Sequence, residues 1–194
     1  VFTLGNKQGD YTITANSPDA TPPAEFKACG RLDVPDIKQY EGGWENDKFD
    51  NLISSIGMLG CPLGAISDVL RFYGIDTNPR KLNNWLKTNK GFDGALVDFE
   101  ALPKYAATFS KTITYTKIDA PSTENISQEL SSSRAAIVQV VSLSDVSKRH
   151  FLVATANCFG TFAINDPGHN AVLGKHAPLY TLEEYYKHLP VGKK

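Results

Sequence analysis

The chain has 194 residues, 41% hydrophobic and 21% charged, the composition of an ordinary globular chain long enough for one compact domain or a domain with a tail. Twenty Lys and Arg stand against twenty-one Asp and Glu, a formal charge of −1, so the basic footprint of a nucleic-acid or anionic-surface binder is missing. The longest apolar runs, such as 135–141, fall far short of the roughly 20 residues that a membrane span needs.

The first thirty residues differ from the rest. Tyr11-Thr12-Ile13-Thr14 reads as one β-strand. Residues 16–24 lack large apolar side chains and carry Pro18, Pro22 and Pro23, the composition of a linker or extended strap. Residues 1–31 are therefore expected to form an N-terminal strap, and residues 32–194 the compact domain, opening at Leu32-Asp33-Val34-Pro35. No signal peptide is visible at Val1, so the chain reads as a mature form or as a piece of something longer.

Helices are expected next. Ile66, Val69, Leu70 and Tyr73 recur at i, i+3, i+4 and i+7, the stripe of a helix with one buried face. Pro62 suits its first turn and Gly74 its end. A second helix starts behind Thr77-Asn78-Pro79, a capping residue followed by proline, and buries Leu82, Trp85 and Leu86. A third, short helix follows Asp98 with Pro103 in its first turn, and 124–132 gives a fourth. The β-branched run 135–141 then predicts a central strand. Residues 150–156 and 161–165 predict two more strands around a turn at Asn157-Cys158-Phe159-Gly160. A closing helix is expected at 181–188. Helices first and antiparallel strands after them define an α+β domain.

Three residues carry the candidate chemistry. Cys61 follows Gly60 and opens the first helix, where the partial positive charge of the helix N-terminus favours thiolate over thiol. His150 opens a strand, and Asp166 closes its expected hairpin partner. With the turn centred between Cys158 and Phe159, the two fall within one register step, close enough for a carboxylate to orient an imidazole. A small buried cysteine, a strand-end surface histidine and a turn-forming aspartate explain the three one at a time. Together they compose the Cys–His–acid set of a thiol hydrolase, which is far less ordinary. The three cysteines, Cys29, Cys61 and Cys158, allow one bridge with one free thiol, or three unrelated thiols. The four histidines, His150, His169, His176 and His188, show no metal-ligand spacing and no Cys-x-x-Cys occurs, so neither metal nor cofactor is expected.

The run Gly60-Cys61-Pro62-Leu63-Gly64-Ala65-Ile66-Ser67-Asp68-Val69-Leu70-Arg71-Phe72-Tyr73-Gly74-Ile75 resembles the nucleophile helix of the bacteriocin-processing, double-glycine-leader peptidases and their stand-alone bacterial and phage relatives, within the papain-like superfamily. His150-Phe151-Leu152-Val153 with Phe162-Ala163-Ile164-Asn165-Asp166-Pro167-Gly168 is similar to the family's histidine strand and its end. Upstream, Val34-Pro35, Gln39 and Trp44 match the family's usual opening. The resemblance covers about residues 32 to 190. It implies a papain-like fold, helices packed on an antiparallel sheet, with Cys61 as nucleophile, His150 as general base and acid, and Asp166 as orienter. It also makes Gln39 an oxyanion donor, although a solvated loop residue explains Gln39 equally well. Pro62-Leu63-Gly64-Ala65 departs from the family's usual residues after the cysteine and is expected to alter the cleft wall.

The expected activity is that of a cysteine peptidase acting through an acyl-enzyme on a peptide or a peptidoglycan peptide. The expected setting is secreted, cell-envelope or virion-associated, with a larger chain or virion assembly as the partner. The alternative is an inactive papain-like module that binds or builds, as in a phage tail; acyl transfer by the same thiol is a third reading. In an extracellular protein Cys29 and Cys158 could pair, tying the strap to the hairpin turn and leaving Cys61 free.

Overall fold

Helix boundaries in the middle of the chain follow from local caps. The structure is a computed structural model that describes residues 8–17, 20–142, 147–168 and 182–183. A short helix α1 (Ile56–Leu59) leads through Gly60 into α2 (Cys61–Phe72). The end of α2 is a Schellman motif: Gly74 at φ +77° bonds back to the Arg71 carbonyl, and the Ile75 N–H to Leu70. In α3 (Pro79–Thr88) the Asn78 side chain accepts the Lys81 N–H and proline takes the first position, as its sequence predicts. A 3₁₀ turn (Phe99–Ala101) capped by Asp98 runs into α4 (Leu102–Ala107), with Pro103 in the first turn. In α5 (Thr123–Ser131), Ser122 and Asn125 cap each other reciprocally.

Residues 9–17 and 20–30 are not a bare strap. They form a hairpin of β1 (Gly9–Ser17) and β2 (Ala20–Gly30), in register from Gly9 opposite Gly30 to Ala15 opposite Ala24. Pro22 and Pro23 lie on β2 beyond the regular register, where an edge strand tolerates a missing N–H. A disulfide between Cys29 and Cys158, with Cα atoms 5.5 Å apart, fastens this arm to the body. Beside it, Gln8 Oε1 accepts the Asn157 N–H and Asp10 Oδ1 the Phe159 N–H.

After a small ribbon, β3 (Phe92–Asp93) with β4 (Leu96–Val97), the main sheet comprises β5 (Ala136–Val141), β6 (Arg149–Cys158) and β7 (Thr161–Asn165). Its antiparallel order among the described residues is β5-β6-β7, with β6 between the other two. In β5, the strand expected at 135–141, Val138 and Val140 face the core and Gln139 faces solvent, so it alternates like a half-buried strand. The β6–β7 turn is Phe159-Gly160, both with positive φ (51° and 84°), the two-residue turn favoured in hairpins. It lies one residue later than the sequence suggested. A bulge between Ala154 and Ala156 shifts the register again.

Two clusters fill the interior, and α2 belongs to both. Ala65 packs with Leu32, Val34, Ile126, Leu130, Val138, Leu152 and Ile164 on the sheet side. Leu63, Ile66 and Leu70 pack with Phe49, Ile56, Leu82, Leu86 and Tyr105 on the helical side. The 66/69/70/73 stripe is thus split between two cores, and Tyr73 is left 39% exposed at the helix end. Only Leu182 and Glu183 of the expected closing helix lie within the described residues; they are helical, and Leu182 is buried. No helix among the described residues is long and apolar enough to cross a membrane.

Candidate active site

Cys61 is the first residue of α2, at the seam between the two cores. Backbone N–H groups in that first turn have no intrahelical acceptor and point out of the helix end. The thiol is half-buried and free. Pro62, Leu63, Gly64 and Ala65, where the chain departs from the family's usual residues, are all buried.

His150 lies at the start of β6 and Asp166 directly after β7, both buried. The ring Nε2 bonds Asp166 Oδ1 at 2.7 Å. The same oxygen accepts the Gly168 N–H at 2.7 Å, so the carboxylate is fixed by its own turn before it holds the imidazole. Gly168 is required by close approach: a Cβ there would stand 2.7 Å from His150 Cε1. With Nε2 committed to Asp166, Nδ1 is the nitrogen left for Cys61, which lies near enough to favour the protonated ring. Burial pulls the imidazole down, but the hydrogen bond and charge of Asp166, with Cys61 nearby, outweigh it, and its pKa is pushed up to about 10. His150 is therefore an imidazolium at neutral pH.

Asn165, the neighbour that could have shared the orienting role, points elsewhere. Its amide donates to the Val34 and Pro35 carbonyls at 3.1 and 2.9 Å. Those carbonyls belong to the extended segment 32–40, which lies across the site end of α2. Leu32, Val34, Ile37 and Gln39 are its inward residues. Gln39 is buried, not solvated; its Nε2 donates to the Gly57 carbonyl at 2.7 Å and its own N–H to Pro167 at 2.8 Å. Its Oε1 is buried with no hydrogen-bond partner. The side chain thus reaches the α1–α2 junction, just ahead of Cys61.

Sequence reasoning missed the residues that hold this segment. Lys38 Nζ donates to the Asp166 carbonyl at 2.9 Å and pairs with Asp36. Tyr40 stands within electrostatic reach of Cys61 and Asp166; burial, then Cys61, raise its pKa. Asp68, on α2, accepts the Ile37 N–H at 2.7 Å. The one available signal was an acidic residue on the Cys61 face of a helix whose apolar stripe runs along the other side. Among the described residues no group of His, Cys, Asp and Glu could hold a metal ion.

A half-buried thiol at a helix start and a buried imidazole–carboxylate pair on an antiparallel hairpin are the groups the sequence reading assigned to a thiol hydrolase. A family model described as "Peptidase_C39 like family" matches residues 31–190, and the chain belongs to that family of papain-like cysteine peptidases. No curated protein and no solved structure matches the chain.

Proposed function

We propose that the protein is a cysteine peptidase that cleaves peptide amide bonds through Cys61, His150 and Asp166. The observation that carries this reading is the buried His150–Asp166 pair, 2.7 Å apart, whose ring leaves Nδ1 for Cys61. Cys61 gives its proton to His150 as sulfur becomes the nucleophile. Sulfur attacks the scissile carbonyl carbon, and the electron pair moves onto oxygen. The Gln39 amide and the Cys61 N–H stabilise that oxyanion. His150 gives its proton to the leaving amine as the C–N bond breaks, which leaves a thioester on Cys61. Neutral His150 then takes a proton from water, hydroxide attacks the thioester, and the acid departs with the thiol restored. Asp166 keeps the ring oriented throughout.

The Cys29–Cys158 bridge supports an oxidising, extracellular or cell-envelope setting, where such bonds persist. Peptides of the cell wall are substrates that such a setting supplies. The test is incubation of purified protein with a defined peptide mixture and with soluble peptidoglycan fragments, products being read by mass. Cleavage that disappears in Cys61→Ser is expected. Folded protein that cuts neither, or a Cys61→Ser variant that cuts as well as the parent, overturns the reading in favour of a binding module.

A further inference from the structure

A second ionisable side chain on α2 has no part in the reaction above. Asp68 lies seven residues after Cys61, two turns along the same helix face. It is wholly buried (0% exposed). Its Oδ1 accepts the Ile37 N–H at 2.7 Å, while Oδ2 is buried with no hydrogen-bond partner. Between Cys61 and Asp68 on that face sits Gly64. A Cβ there would stand 2.6 Å from Pro167 Cβ and 3.2 Å from the Ile37 carbonyl oxygen. The segment carrying Ile37 therefore lies directly on the helix, and Asp68 receives its backbone.

Two residues further on is Gln39. The backbone of Gln39 is tied to Pro167, and Lys38 is tied to Asp166, so 37–39 joins Asp68 on α2 to the hairpin end that carries Asp166. The carboxyl is therefore positioned to decide where the Gln39 amide sits.

We propose that Asp68 is a positioning residue that seats the Gln39 segment on α2, and that losing its proton unseats that segment. The inference rests on the reading of Gln39 as the oxyanion donor. A neutral carboxyl accepts one N–H and places little charge on its second oxygen. A carboxylate would bury a charged Oδ2 that has no donor. The charged groups that face Asp68 are Asp36 and Lys38 on the segment and Arg71 on its own helix. Asp36 and Lys38 pair with each other at 2.6 Å and largely cancel. Burial dominates and pushes the Asp68 pKa up to about 8, so the proton leaves just above neutrality. Because the folded value is raised, the stability contributed is full below the ordinary carboxylate range and is lost as pH rises to about 8.

Trp44 offers a reporter that needs no substrate, since its indole N–H donates to the Lys38 carbonyl at 3.0 Å. In a Trp85→Phe background, emission from Trp44 is followed from pH 6 to 10, with hydrogen exchange at the Ile37 and Gln39 amides. The parent is expected to show a transition near pH 8 in both. Asp68→Asn, which keeps the acceptor oxygen and cannot titrate, is expected to abolish the transition and to keep kcat from falling there. Asp68→Ala is expected to lower kcat roughly tenfold or more at every pH with little change in KM, in the direction of losing an oxyanion donor. A transition near pH 8 that survives in Asp68→Asn overturns the proposal. So does a folded Asp68→Ala whose Trp44 emission and amide exchange match the parent's. Emission and exchange decide the role of Asp68 even if no peptide is cut, so a failure of the peptidase reading and a failure of this one are told apart.

Discussion

At His150 two opposing forces act on one ring. Burial disfavours the cation, yet a carboxylate bonded at 2.7 Å and a thiol on the other side hold it charged. Asp166→Asn keeps the Gly168 N–H satisfied but removes the charge. Peptide cleavage is expected to fall roughly 10²–10⁴-fold, and stability by about 1–3 kcal/mol, the scale of a charge-assisted bond. Steady-state kinetics and urea unfolding measure the two. The sign of the pH effect follows from the raised folded value. The stability His150 contributes is full below its ordinary value of 6.5 and lost as pH rises through about 10. In Asp68→Asn, whose own titration is gone, the urea midpoint should decline toward pH 10, and adding Asp166→Asn should flatten that decline. The three residues were legible in the sequence because each stands at a conspicuous junction: a helix start, a strand start, a Pro-Gly turn. Asp68 and Tyr40 were not legible, since their meaning comes from a segment about thirty residues from Asp68 in the chain, folded back against it.

Elements are set by the same logic at longer range. Helix ends were readable because caps and prolines act within four residues: Asn78 before Pro79, Asp98 before the short turn, Gly74 after α2. Strand register was not, because positive φ at both Phe159 and Gly160 sets the turn one residue later, which moves each partner by two, and a bulge near Thr155 takes one of those back. Nor could the sequence say that α2 would be buried on two sides. Gly64 tests that arrangement. Gly64→Ala gains up to about 1 kcal/mol in helix propensity, but a Cβ 2.6 Å from Pro167 forces the hairpin end or the Ile37 segment outward, an overpacking cost of about 1–3 kcal/mol. Net destabilisation is expected, with a loss of kcat greater than the loss of fold, because Pro167 adjoins Asp166. A more stable and fully active Gly64→Ala would show that the segment yields freely.

For the molecule as a whole, the arm and the body are joined unequally. A bridge spanning 129 residues restrains the unfolded chain by about 5 kcal/mol in the chain-entropy model. Much of that is returned on reduction if the arm is simply released from the folded body. The body has its own anchors at the junction: Leu32 N–H to Thr155 O at 3.0 Å and Arg31 to the Thr155 hydroxyl at 2.9 Å. Mild reduction is therefore expected to speed hydrogen exchange over 9–30 while 61–72 and 149–165 stay protected and Cys61 alkylation keeps its rate. Loss of protection in α2 would mean that the arm holds the body together.

Seen as a covalent graph, the chain is a ring with two tails. The Cys29–Cys158 bond closes the ring, and both Cys61 and His150 lie on it. A backbone cut inside the ring, made by this protein or by another, adds one water and frees no fragment while the bridge is oxidised. Cys61 and His150 thus remain tethered through a break that would divide a linear chain. Asp166 has no such insurance: it lies on the tail, and a cut between Phe159 and Asn165 would leave it held only by the contacts of the fold.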